Sequence, residues 1–137
     1  MTFLDTNILV YAIDSRNLEK QRIAREIVFV AEGSNEYIVS AQVLNEFANV
    51  AIRKLSLPFE QTMAFVHKYE AIRTVPVLSE WTAHALEIMK YYGIQFFDAL
   101  LLAAAEANGC DKILTEDLSD GQVYCGVRAV NPFVSHH

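Results

Sequence analysis

Four carboxylates stand where carboxylates are expensive to keep. Asp5 separates the apolar "TFL" from the apolar "NILVYA", and Asp98 is the one ionisable residue in "FFDALLLAAA". Asp117 lies in "KILTEDLSDG", and Glu46 lies in "VSAQVLNEFANVAIRK". A buried carboxylate is costly unless something pairs with it. Acids brought together repel one another until protons or cations neutralise them. Oxygen-only ligands suit Mg²⁺ or Mn²⁺ rather than zinc. One or two such ions could activate water and clamp a phosphate. Each acid alone has a simpler role. Asp is a favoured N-cap, which is the commoner explanation for Asp5 or Asp98 taken singly. Glu46 alone reads as a solvated helix residue. Asp117 and Asp120 flank a polar turn ending in Gly121, where Asx turns are expected.

The surrounding pattern gives these acids positions. Short β-branched segments at residues 2–4, 37–39, 74–77, 112–114 and 127–130 read as strands. Helices are expected at residues 7–13, 18–32, 41–55, 59–72, 80–92 and 98–108. Pro58 opens one of them, Ser79 is placed to cap another, and Gly93 and Gly109 follow helix ends. Strands separated by helices predict a three-layer α/β/α sandwich around a mainly parallel sheet of about five strands. In such a sheet the ligand crevice lies at the carboxyl ends of the strands. Asp5 and Asp117 both follow strand ends. The helix carrying Asp98 is apolar all round and is expected to be buried. On the third helix Leu44, Phe47, Ala48, Ala51, Ile52 and Leu55 form a wide apolar arc. The remaining stripe, Gln42, Asn45, Glu46, Asn49 and Arg53, is narrow and mostly uncharged, unlike an ordinary solvent face.

At 137 residues, 53% hydrophobic and 20% charged, the chain can build one domain with a real core. Residues 1–134 read as that domain, and residues 135–137 as a tail of the kind a truncated tag leaves. No apolar run approaches the ~20 residues that span a bilayer, and no basic segment precedes an apolar one as in a signal peptide. Cys110 and Cys125 have no metal-type spacing, and reduced thiols in the cytoplasm are expected. The net charge of −6 argues against broad electrostatic binding of nucleic acid by the bare surface. It leaves open a nuclease whose acidic site recruits phosphate through metal ions.

Four stretches, "FLDTNILVYA", "VSAQVLNEFANVAIRK", "GIQFFDALLLAAAEANGCD" and "ILTEDLSDGQ", resemble in order and spacing the PIN-domain ribonucleases of the VapC toxin kind. The resemblance spans nearly the whole chain. It implies that Asp5, Glu46, Asp98 and Asp117 are the catalytic acids and hold one or two Mg²⁺ or Mn²⁺ ions. It implies that Asn7 orients the first acid and that the Thr115 hydroxyl borders the site. Asp120 falls at a position that varies in the family, as an extra ligand or a turn residue. The implied activity is endonucleolytic hydrolysis of RNA leaving a 3′-hydroxyl and a 5′-phosphate, as the toxin of a type II toxin–antitoxin pair. The implied partners are a second copy of the chain, a cognate antitoxin and the RNA substrate.

For the RNA rim, the candidates are Arg16, Lys20, Arg22, Arg25, Arg53 and Lys54, with Tyr11 and Tyr124 as stacking residues. Phe29, Phe65 and Tyr69 read as core or interface. His67 and His84 have no acid motif around them. Two rivals remain. A receiver-like Mg²⁺-binding domain needs an aspartate after its third strand, where this chain has Leu78 and Ser79. A non-catalytic RNA-binding or interaction domain could keep the same fold.

Overall fold

The computed structural model describes residues 1–134, so the tail at 135–137 lies outside the described residues. In chain order the elements are β1 (Thr2–Leu4), α1 (Thr6–Tyr11), α2 (Leu18–Glu32), β2 (Tyr37–Ser40), α3 (Ala41–Arg53) and α4 (Phe59–Tyr69). They continue with β3 (Arg73–Val75), α5 (Glu80–Tyr92), α6 (Phe96–Ala107), β4 (Lys112–Leu114), β5 (Val123–Tyr124) and β6 (Val127–Val130). One six-stranded sheet has the order β3-β2-β1-β4-β6-β5, parallel except where β5 pairs antiparallel with β6. Helices cover both sides. α1 packs on α2 and α3, and α3 on α4, while α5 and α6 form a separate pair with α6 against β4 and β6.

The strand order explains where a site can form. From β1 the chain steps to β2 and β3 on one side, then returns to place β4 on the other side of β1. The β1/β4 junction is thus the topological switch point, where a crevice opens outside the carboxyl ends of the strands. Register fixes what meets there. Leu4 pairs with Leu114, and the Asp5 N–H donates to the Leu114 carbonyl at 3.1 Å. The residues that follow these two strands therefore lie side by side.

The core behaves as the pattern requires. Phe3, Leu4, Ile38, Val39 and Ile113 are buried on the sheet, and residues 99–105 of α6 are buried without a break. Four expectations need correction. The sheet has six strands, because Val123–Tyr124 folds back on β6. Its turn holds Cys125 and Gly126 at φ 53° and 79°, the positive-φ pair of a type I′ hairpin, at a place usually marked by Asn-Gly. α6 starts at Phe96 with Gln95 as its N-cap, so Asp98 lies inside the first turn and is not a cap. Ser79 makes no side-chain capping bond to α5. The third strand covers Arg73–Val75 and stops short of Val77.

Candidate metal-binding active site

Asp5 is built into the switch point by its own neighbours. It is the N-cap of α1, yet only one carboxylate oxygen serves the helix, accepting from the Thr6 N–H at 2.6 Å. The other oxygen accepts from the Thr115 hydroxyl at 2.6 Å, across the β1/β4 junction. Thr115 in turn accepts from the Asp117 N–H at 3.1 Å, which pins the backbone that carries the fourth acid. Capping and site-building are thus done by the same side chain.

Asp98 enters from the opposite layer, on the first turn of α6, where the helix dipole favours an anion. Carboxylate oxygens of Asp5, Asp98 and Asp117 all lie within 4.8 Å of one another. Glu46 stands apart from this trio. Its two oxygens are taken by the Thr6 hydroxyl at 2.9 Å and the Gln42 amide at 2.6 Å. Two open clefts meet at Asp98 and Gln95. One, of about 510 Å³, also contains Asp117 and Gly93, and the other, of about 650 Å³, contains Glu46 and Asn45. Together they form a groove lined by Glu46, Asp98 and Asp117.

The electrostatics are those of a site short of positive charge. Burial pushes the Asp5 carboxyl up to about 7, with the Asp117 and Asp98 charges adding to the rise and the bonds from Thr115 and Thr6 opposing it. Asp98 is also raised, first by burial and then by Asp117 and Glu46. Among the described residues, every hydrogen-bond donor on Asp5, Glu46 and Asp117 is neutral, and none of the four acids has an ion-pair partner. An all-oxygen, net-negative donor set of this kind fits a hard divalent cation.

A family profile for the PIN domain matches residues 2–119. The chain belongs to the PIN-domain family. No curated protein matches its sequence. Solved structures share the fold at low identity. The VapC20 toxin of Mycobacterium tuberculosis, titled a sarcin–ricin-loop-cleaving toxin, is 16% identical with a TM-score of 0.68, covering 82% of this chain and 87% of its own. A toxin–antitoxin complex from Klebsiella pneumoniae is 20% identical with a TM-score of 0.69, covering 96% and 98%. VapBC2 from Rickettsia felis, bound to promoter DNA, is 19% identical with a TM-score of 0.68, covering 93% and 96%.

Within this PIN domain several assignments shift. Asn7 donates to Asp117 at 2.9 Å, so it orients the fourth acid, and the bond expected from it to Asp5 comes from Thr115 instead. Asp120 accepts from the Asn131 N–H at 2.8 Å, which gives it a loop-tying bond. Thr6 and Gln42 were not foreseen, although both could have been. Thr6 lies between Asp5 and Asn7, and Gln42 precedes Glu46 by one helical turn, where side chains meet. The basic rim is largely committed elsewhere. Arg16 pairs with Asp14, Arg22 with Glu19 and Glu26, and Lys20 with Glu116, while Arg25 donates to the Ala12 carbonyl and Arg53 to Asn49. Tyr11 donates to Glu116 and packs edge-on to Phe133. Tyr124 is buried against Tyr92, a core position with no face left for a base. Tyr69 is core as well, with its hydroxyl on the Leu9 carbonyl, whereas Phe29 is 80% exposed.

Proposed function

We propose that residues 1–134 act as one PIN domain and form a metal-dependent endoribonuclease, the toxin of a type II toxin–antitoxin pair. The observation that carries this reading is the convergence of Asp5, Asp98 and Asp117, from three separate elements, within 4.8 Å and with neutral partners only. The likeness to the sarcin–ricin-loop-cleaving toxin of Mycobacterium tuberculosis supports RNA as the polymer, and the complexes from Klebsiella pneumoniae and Rickettsia felis support an antitoxin partner. Cytoplasmic action on translation and a homodimer are part of the same proposal. No helix among the described residues is long and apolar enough to cross a membrane.

The carboxylates of Asp5, Asp98 and Asp117 would hold Mg²⁺ or Mn²⁺, one or two ions. Such an ion, when bound, supplies Lewis acidity toward the phosphate and an attacking water. The protein's own residues do the rest. Thr115 and Thr6 hold Asp5 in one rotamer, and Asn7 holds Asp117, so the donor set is organised before substrate arrives. Loading requires Asp5 to lose the proton that burial favours, so metal binding releases protons and strengthens as pH rises through about 7. Glu46, fixed by Thr6 and Gln42 on the far side of Asp98, is positioned to orient the attacking water and accept its proton, or to complete a second ion's ligands. The Asp98-centred groove would bring the scissile phosphate against Glu46, Asp98 and Asp117, with Asp5 buried behind them. Cleavage would leave a 3′-hydroxyl and a 5′-phosphate.

The test is transcriptome-wide mapping of RNA ends after induction of the wild-type chain and of Asp5→Asn. Discrete cuts that require Asp5 are expected. Growth arrest without any Asp5-dependent cut would overturn the ribonuclease reading.

A further inference from the structure

A second cluster of metal-ligating side chains lies outside the acidic groove. His84 on α5, Glu106 on α6 and Cys125 in the β5–β6 turn each present a ligand atom, all within 4.8 Å of one another. Glu106 follows Asp98 by eight residues on the same helix, which places the two clusters ~12 Å apart along its axis. Three features distinguish this cluster from a chance ion pair. Its donors are nitrogen, oxygen and sulfur, the mixture that a borderline-soft cation takes and that Mg²⁺ does not. His84 faces Glu106 with Nε2 at 3.2 Å, while its Nδ1 lies 3.5 Å from Glu87. That is the arrangement of a metal-ligating imidazole, whose other ring nitrogen is held by a carboxylate. Cys125 takes φ 53° at a turn position that ordinarily goes to Asn or Gly, and the Tyr92 hydroxyl accepts its N–H at 3.0 Å.

We propose that His84 Nε2, Glu106 and Cys125 Sγ form a Zn²⁺-class binding site that ties the β5–β6 hairpin to α5 and α6, with Glu87 supporting the imidazole. Ligand atoms around tetrahedral Zn²⁺ stand about 3.3–3.7 Å apart. The His84–Glu106 edge, at 3.2 Å, is close to that length, and the Cys125 sulfur lies within 4.8 Å of both. On binding, the thiol proton passes to solvent and the thiolate sulfur bonds the ion. Water fills the fourth position.

The acidic groove also takes divalent ions, so the probe must report sulfur ligation. Co²⁺ titrated into the full reduced chain gives a thiolate-to-metal charge-transfer absorption only where a cysteine coordinates it. One equivalent should produce the band in the wild type, in Asp5→Asn and in Cys110→Ala, and Zn²⁺ should abolish it by displacement. Cys125→Ser should lack the band while retaining the wild-type circular dichroism, and His84→Ala should weaken Co²⁺ binding at least tenfold. Absence of the band in the wild type, or its survival in Cys125→Ser, would overturn the proposal.

Discussion

Replacing Asp5 by Asn should make the metal-free protein more stable and at the same time useless as a metal ligand. In the folded chain the Asp5 carboxyl is raised from 3.8 to about 7, mainly by burial. A shift of about three units corresponds to about 4 kcal/mol of penalty for the ionised form. Well below 3.8 both folded and unfolded chains carry the proton, and the penalty is absent. As pH rises through the window from 3.8 to about 7, the unfolded chain ionises first, and folding stability falls until the native carboxyl ionises too. Asn carries no charge at any of these values. Its carbonyl oxygen can keep the bond from the Thr6 N–H, but its amide must donate to Thr115, which costs about 1–2 kcal/mol of rearranged hydrogen bonding. The net gain at about pH 8 is thus about 2–3 kcal/mol. With ~2.1 cal/mol/K of unfolding entropy per residue over 137 residues, that is a rise of roughly 7–10 °C in Tm. Thermal and urea unfolding in a chelator, from about pH 4 to pH 8, measures it. At the acid end the gain should give way to a net loss of up to about 1–2 kcal/mol from the rearranged hydrogen bonds, and added Mg²⁺ should stabilise the wild type but not the variant. A variant no more stable than wild type at about pH 8, or a gain independent of pH, would refute the argument that Asp5 is a buried charge awaiting a cation.

Other substitutions separate the roles of the neighbouring residues. Thr115→Val removes the donor to Asp5, and it should weaken Mn²⁺ affinity about 10–100-fold by calorimetric titration while leaving the far-ultraviolet circular dichroism unchanged. Glu46→Gln should lower the single-turnover cleavage rate at saturating metal by about 10²–10⁴-fold, as expected for loss of a proton acceptor. Leu102→Ala, at a fully buried position of α6, should cost about 2–5 kcal/mol in urea unfolding, with metal affinity retained in the folded fraction.

The sheet and its acids were legible because burial and periodicity speak plainly in this chain. A ten-residue apolar run, "FFDALLLAAA", interrupted by a single carboxylate, and a helix whose polar stripe is narrow and mostly uncharged, flagged Asp98 and Glu46 without any structure. The strand ends placed Asp5 and Asp117 at one edge of the sheet. What stayed hidden depends on backbone geometry and rotamers. The start of α6 at Phe96 could not be read, because Gln95 is a weak capping residue and makes no capping bond. β5 was missed because its turn places Cys125 at positive φ, so the usual Asn-Gly signal was absent. The partner of Asn7 was misassigned because Asp5 and Asp117 lie close enough that either could receive its amide. Only the Thr115 hydroxyl, already on Asp5, leaves Asn7 to Asp117. Glu116, which pairs with Lys20 and Tyr11, gave no sequence signal, since its partners lie about a hundred residues away.

Cleavage of end-labelled RNA by the purified chain, with Mg²⁺ or Mn²⁺, with a chelator, and with Asp98→Asn, tests the assignment most directly. Asp98 is suited to the control because it is only half-buried, on the first turn of α6, so its loss should leave the fold intact. Discrete products bearing a 5′-phosphate are expected from the wild type with metal, and none with chelator or with the variant. Equal cleavage by wild type and Asp98→Asn, or cleavage that persists in chelator, would contradict a metal-dependent site built on these four acids.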